Sequence, residues 1–318
     1  MATEAALLAV ALGFALVTGI NDGGALLAPG LRLPGGSVAV SLIAIAVATT
    51  TVPLVLGTRV AQTMLAGIVP AEATLVVTIG FCVAIAVVLG LSRAGLPTSL
   101  TLAVVGGLAG AGLGAGAAVQ VETLVRVLGF GVLAPIAGAL LAYLGSAATR
   151  RVRTRSYRRA VGGWHGVGFL ALCLAYGMND GQKVLVLFML AAGTGANERL
   201  PLWAFAAAGA MFAVGALLGL PRVARTMSTG ILAAGPVHVV VAESAAAVAV
   251  LASAAVGSPV SMTQAVTGGL VGAGSRDGVR RLRWLMIGRV AIAWVATLPA
   301  ALILGAMVSL IVMAVVAS

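Results

Sequence analysis

Charge is what this sequence lacks most. Of its 318 residues only 8% are Asp, Glu, Lys or Arg, while 61% are hydrophobic, against roughly 25% charged and 45–50% apolar in soluble domains. A soluble globular fold is excluded on that ground. Aromatic residues are only 4%, and the two histidines, His165 and His238, are too far apart for a paired-histidine metal motif. Two cysteines, Cys82 and Cys173, each inside an apolar stretch, make neither a disulfide framework nor a metal cluster. A Gly-rich loop ending in Lys-Ser/Thr and a Gly-x-Ser-x-Gly elbow are also absent, so neither an enzyme nor ATP-driven transport by this chain is expected.

Acidic residues are the scarcer sign, 8 against 19 basic, for a net charge of +11. Such an excess can mark nucleic-acid binding. Here the arginines fall in short loops between apolar runs, where they report membrane topology instead, and no nucleic-acid partner is expected. The first apolar run lacks a basic leader and a small-residue cleavage pattern, so it reads as a retained span.

Apolar stretches of the length that crosses a bilayer, about 20 residues, fill the chain. The first covers 5–28 with a polar interruption at 19–24, and others follow at 37–57, 72–92, 97–118 and 123–145. A basic run at 150–159 comes next. The order then repeats at 164–193, again interrupted, and at 201–220, 238–256, 259–274 and 284–316.

Landmarks recur at a nearly constant spacing: Gly19 and Gly177 (177 − 19 = 158), Arg59 and Arg222 (163), Pro97 and Pro259 (162), Gly107 and Gly269 (162), Arg126 and Arg289 (163), Pro135 and Pro299 (164). That regularity indicates internal duplication. The fold expected is therefore an all-α polytopic membrane protein of about ten segments, some broken or re-entrant. The halves are 1–148 and 161–318, joined by a basic cytoplasmic linker at 149–160.

Five segments per half is an odd number, which turns the second half over relative to the first. With the linker in the cytoplasm, the cytoplasmic loops collect Arg32, Arg93, Arg222, Arg225, Arg276, Arg280, Arg281 and Arg283 besides the linker arginines, as the positive-inside rule asks. Both termini then lie outside. Full re-entry of the fourth and ninth segments would leave four spans per half and parallel repeats, with poorer charge asymmetry.

Few ionisable residues fall within the spans: Asp22, Asp180, Lys183 and Glu243, with Arg126 and Arg289 near span ends. A carboxylate at the centre of a membrane helix costs roughly 2.5–3.5 kcal/mol, so each needs a reason to be there. Asp22 and Asp180 sit in equivalent interruptions and suit a cation. We assign them to a coupling ion, Na+ or H+, with Asn21 and Asn179 as neutral oxygen ligands. Buried capping of the half-helices that follow is the alternative. Glu243 has no counterpart in the first half and is a candidate protonation site. His165 and His238 are expected at the membrane interface.

A second constellation is Leu96-Pro97-Thr98-Ser99-Leu100-Thr101 with its repeat Ser258-Pro259-Val260-Ser261-Met262-Thr263. Proline suits the first turn of a helix, where free N–H groups and the positive dipole end point outward. Hydroxyls there add donors, and two such starts facing each other suit a tetrahedral oxyanion. Tight helix packing by Ser, Thr and Gly is the competing explanation. Lys183, three residues after Asp180, shares its helix face and either pairs with it or contacts the anion.

With Gly177-Met-Asn-Asp-Gly-Gln-Lys183, Gly19-Ile-Asn-Asp22, Pro259-Val-Ser-Met-Thr263 and Trp294-Val-Ala-Thr-Leu-Pro299 in hand, the chain resembles the inorganic phosphate transporter (PiT) family over essentially its whole length. The resemblance implies a plasma-membrane symporter of inorganic phosphate in an inverted repeat, using no cofactor beyond the coupling ion. Asn21, Asp22, Asn179 and Asp180 would bind that ion, a metal ion if it is sodium. Thr98, Ser99, Thr101, Gln182, Lys183, Ser261, Thr263 and Gln264 would bind phosphate.

Ala25 stands where the family has a second asparagine, Leu102 and Gln264 where it has histidine, and Tyr176 where histidine is common. These departures leave open sulfate as the substrate and, from another class, a non-transporting scaffold or regulatory subunit. The partners expected are phosphate or sulfate and the lipid bilayer, with a homo-oligomer also open. The second interruption keeps the fuller polar set, which makes Asp180 the expected indispensable carboxylate.

Overall fold

The computed structural model describes residues 2–30, 37–70, 74–93, 98–149, 156–193, 200–225 and 230–317. Pro97, linker residues 150–155 and the loop residues Arg32, Glu72, Glu198 and Arg199 lie outside them. The first half comprises α1 (Ala2–Thr18), α2 (Gly24–Gly30), α3 (Val38–Leu56), α4 (Arg59–Ala66), α5 (Thr74–Ser92), α6 (Leu100–Gly114) and α7 (Val121–Thr149). The second comprises α8 (Tyr157–Tyr176), α9 (Gln182–Ala191), α10 (Leu202–Arg225), α11 (Pro236–Ala255), α12 (Met262–Ser275) and α13 (Trp284–Ala317). The described residues contain no strand, and eight stretches are long and apolar enough to cross a membrane.

The two interruptions expected as helix breaks are π-helical turns instead, Gly19–Gly23 between α1 and α2 and Gly177–Gly181 between α8 and α9. A π-turn widens the helix by one residue without ending it, and such turns concentrate at functional sites. Glycine makes the turns packable. A Cβ on Gly19 would lie 2.1 Å from the Phe212 carbonyl, and one on Gly181 would lie 2.2 Å from that of Thr49. Each turn thus packs on the second long helix of the opposite half, the first on α10 and the second on α3.

The fourth and ninth segments are short. At 15 and 14 residues α6 and α12 reach about 22 and 21 Å at 1.5 Å per residue, less than the ~30 Å hydrocarbon core. Each is the return arm of a hairpin, α5–α6 or α11–α12, whose tip stops at the depth of the π-turns. Ser92, in the last turn of α5, and Thr98, just before α6, both bond to Asn21. Such a hairpin turns back toward the side it came from, so helix direction, more than a count of spans, relates the two halves.

Helix directions agree. The pairs Phe14/Phe81 and Asn21/Ser92 make α1 parallel to α5, while Gly110 against Leu302 and Gly114 against Ala306 make α6 parallel to α13. The start of α1 and the end of α13 consequently lie at one face, with the α7–α8 junction at the other.

The halves interleave. Gly106, Gly110 and Gly114 bring α6 onto the backbone of α13, and Gly268 and Gly272 bring α12 onto that of α7. Small residues at this spacing let membrane helices approach closely. One apolar core joins α1, α5, α6 and α9, and the other joins α2, α3, α8, α11 and α12. Each π-turned helix therefore passes from one core to the other, with its polar turn between them.

One loop pair that looks equivalent in sequence has diverged. Gly57, at φ +96°, ends α3 and α4 restarts at Arg59, whereas Pro221 lies within α10.

Candidate functional site

Two asparagines hold the site together. The Asn21 side chain donates Nδ2–H to the Thr98 carbonyl (3.0 Å) and accepts the Thr98 N–H at Oδ1 (3.0 Å). The Asn179 side chain does the same with Val260, at 2.7 Å to the carbonyl and 3.0 Å from the N–H. A carboxamide presents one donor and one acceptor in the spacing of a peptide group, so each mimics a strand partner for the chain leading into α6 or α12. Their oxygens, expected as cation ligands, each accept a backbone N–H, and Asn21 Oδ1 accepts the Thr98 hydroxyl as well (2.9 Å).

The threonines cross between halves. Thr101 Oγ1 donates to the Val260 carbonyl (2.7 Å), and Thr263 Oγ1 donates to the Thr98 carbonyl (3.1 Å). Each of those carbonyls therefore joins an asparagine from its own half to a threonine from the other. Ser99 caps α6 by accepting the Leu102 N–H (3.2 Å), whereas Ser261 instead contacts Thr263 Oγ1 (2.9 Å). The two helix starts are thus brought together, with Thr98, Ser99, Thr101, Ser261 and Thr263 all buried.

The carboxylates are held differently. Asn21 Nδ2 donates to Asp22 Oδ1 (2.7 Å) and the Tyr176 hydroxyl to Asp22 Oδ2 (3.1 Å). Asn179 Nδ2 donates to Asp180 Oδ2 (2.8 Å), but Asp180 Oδ1 receives the Lys183 ammonium at 2.7 Å. Lys183 is fully buried and donates also to Thr101 Oγ1 (2.6 Å) and the Val260 carbonyl (2.8 Å). An ammonium has three N–H bonds, so none is left over for an anion.

Gln182 is committed elsewhere too. Its Oε1 accepts the Val60 and Ala61 N–H groups (2.8 and 3.0 Å), capping α4, and its Nε2 donates to the Met178 carbonyl (2.7 Å). Gln264 differs: its Oε1 is buried without a partner, as is Ser258 Oγ at the same hairpin tip. An orphaned buried polar group in a native fold calls for an explanation such as a ligand or water.

A cavity of about 470 Å³ lies beside the site, lined by Ile20, Leu89, Ser92, Arg93, Leu218, Gly219 and Pro221. Ser92 on its wall donates to Asn21 Oδ1 at 3.4 Å, and exposed Arg93 brings a positive charge to the same wall.

Sequence reasoning missed the partner of Asp22, Tyr176, although that residue immediately precedes the second Asn-Asp turn. It also missed the contact of buried His165, whose Nδ1 lies 2.9 Å from Glu243 Oε2. His238 stays half-exposed, bonded through Nε2 to Asp277 (3.0 Å).

Membrane-crossing helices, two polar helix turns and two converging hairpin tips define a polytopic membrane protein with a buried polar centre. Residues 18–168 and 167–305 match the model of the phosphate transporter family, and the chain belongs to that family. It is 33% identical over 229 residues to a probable low-affinity inorganic phosphate transporter of Mycobacterium tuberculosis (strain ATCC 25618 / H37Rv), a match covering 67% of this chain and 54% of that relative. The chain thus spans about half the length of the mycobacterial relatives it matches. A relative with the same description from Rhizobium meliloti (strain 1021) is 31% identical over 223 residues, 67% of each chain. The solved structure described as the sodium-dependent phosphate transporter superposes with a TM-score of 0.80 over 98% of this chain and 99% of that one, at 18% identity. At that identity the likeness speaks to the fold.

Proposed function

We propose that the chain is a plasma-membrane symporter that moves inorganic phosphate with a coupling cation, Na+ or H+, its termini outside and its linker in the cytoplasm. The observation that carries this reading is the meeting of two carboxylate-bearing π-turns with two helix starts at one buried point, each carbonyl there bonded from both halves. Buried carboxylates in a membrane favour a cation, and helix starts favour an anion. Asp22 and Asp180 serve the cation centre, with Asn21 and Asn179 fixing the hairpin tips around it. The backbone and hydroxyls of Thr98, Ser99, Thr101, Ser261 and Thr263 serve the anion once the tips part.

Alternating access then works by moving the two interleaved cores, each drawn from both halves, rather than by rocking one half against the other. The cavity at Ser92 and Arg93 is the cytoplasmic approach.

Phosphate is favoured over sulfate by Gln264. Phosphate keeps a proton to donate near neutral pH and sulfate does not, so a buried acceptor without a partner discriminates between them. Uptake of labelled phosphate and sulfate into proteoliposomes, with sodium and pH gradients imposed separately, tests the reading. Gradient-driven phosphate uptake is expected, and its absence from well-folded protein would refute symport and favour the scaffold alternative.

A further inference from the structure

The duplication allows one half of the centre to be compared with the other atom by atom. In the second half, three oxygens surround the Lys183 ammonium: Asp180 Oδ1 at 2.7 Å, the Val260 carbonyl at 2.8 Å and Thr101 Oγ1 at 2.6 Å. The spacing that pairs Gly19 with Gly177 also pairs Asp22 with Asp180 and Ala25 with Lys183 (183 − 158 = 25). The spacing of 162 pairs Thr98 with Val260 and Thr101 with Thr263. The first half therefore has the same three oxygens, from Asp22, the Thr98 carbonyl and Thr263 Oγ1, the last two 3.1 Å apart. Where the ammonium should come from, it has buried Ala25, which supplies no charge. The Tyr176 hydroxyl bonds the Asp22 carboxylate instead.

We infer that the Lys183 ammonium is a resident cation, permanently filling the second of two duplicated cation positions and leaving only the first, at Asp22, Thr98 and Thr263, for an ion that exchanges with solvent. This deepens the symport reading and rests on it for the word coupling, but the ion count it predicts is a property of the folded chain without phosphate.

Three considerations support it. The lysine is buried completely, and a charge so placed persists only when paired and fully hydrogen-bonded; its three donors meet three acceptors. Those acceptors are a carboxylate, a carbonyl and a hydroxyl, the oxygen types that bind hard cations. The side chain that delivers the charge is tethered to α9, so it cannot leave with the substrate. A symmetric centre would carry two exchangeable cations; this one carries one. Asp180 becomes a fixed counter-ion to Lys183, and the exchangeable charge belongs to Asp22.

The test is equilibrium binding of radioactive sodium to the detergent-purified full chain, without phosphate. Wild type should bind no more than one sodium per chain, with any binding lost in Asp22→Asn and retained in Asp180→Asn. Lys183→Ala, checked for folding by gel filtration and circular dichroism, should bind one sodium more than wild type, and adding Asp180→Asn should remove that extra ion.

A wild-type stoichiometry of two, or sodium binding in wild type that is lost in Asp180→Asn, overturns the inference. So does a folded Lys183→Ala with an unchanged count. Should Lys183→Ala fail to fold, Lys183→Ser takes its place, with the same gain of one sodium expected and an unchanged count overturning the inference. Failure of phosphate uptake in proteoliposomes would sink the symport reading while leaving the ion count intact, so the two failures are distinguishable.

Discussion

The two Asn-Asp turns share a backbone and differ in electrostatics. Both are five-residue π-turns, both seat their glycines on a helix of the opposite half, and both use asparagine to clamp a hairpin tip. Only the second carries its own positive charge. The Asp22 carboxylate makes do with an amide and a phenol hydroxyl. Scaffold and charge have thus been inherited separately. The scaffold needs both asparagines and both glycine pairs, while the charge can be altered in one half by a single side chain.

The sharpest way to break the contrast is Lys183→Ala. Removing one partner of a buried ion pair leaves an uncompensated charge and costs about 3–5 kcal/mol. Thermal unfolding in detergent should show that loss, with partial recovery at high sodium, whereas Ala25→Gly on the other side should respond to sodium as the wild type does. Next come the clamps. Asn21→Ala and Asn179→Ala each strand one buried backbone N–H, of Thr98 or Val260, at about 1–3 kcal/mol, while the neighbouring carbonyl keeps its bond from the other half. The two losses should be similar if the scaffold is shared, and unequal melting temperatures would count against that.

Gln264→Leu should lower the preference for phosphate over sulfate by about tenfold, the equivalent of roughly 1.4 kcal/mol and one hydrogen bond; competition uptake measures it. An unchanged ratio would remove Gln264 from the selectivity argument. Thr101→Val deletes a donor to the Val260 carbonyl and an acceptor for the buried Lys183 ammonium, for about 1.5–3 kcal/mol of stability. The smallest effect expected is from Thr263→Val, about 0.5–1.5 kcal/mol, since no lysine depends on it; thermal unfolding in detergent compares the two.

The membrane class, the span order and the duplication were legible because hydropathy and a constant landmark spacing survive without any knowledge of neighbours. The site was legible as a residue set, since intramembrane carboxylates are expensive enough to be rare. What was not legible was the assignment of bonds within it. Gly19-Ile20-Asn21-Asp22-Gly23 reads as a break because glycine and asparagine favour turns, and nothing in the one-dimensional pattern shows the glycines replacing lost helix contacts with contacts to α10. Lys183 and Gln182 read as anion contacts because their hydrogen-bond partners, Thr101 and Val260 for the lysine and Val60 and Ala61 for the glutamine, are remote in sequence or in another half.

The fuller polar set of the second turn pointed to Asp180 as the indispensable carboxylate; in the structure that set closes on itself through the Asp180–Lys183 pair. Interleaving was hidden for a related reason: the glycine rows at 106, 110 and 114 and at 268 and 272 announce close packing without naming the partner helix.

The carbonyls of Thr98 and Val260, each bonded from both halves, have a consequence for how the protein is made. At roughly 5–20 residues per second of synthesis, Thr98 and its hairpin enter the membrane on the order of ten to thirty seconds before Thr263 exists. For about the first half of that interval Asp22 has no Tyr176, and throughout it α6 has no α13 to lie against. The first half must wait, half-assembled in lipid, for its completion, which makes the interval between the two hairpins a window for chaperones or proteases and predicts that slowing translation near the linker would depress yield more than slowing it near the end.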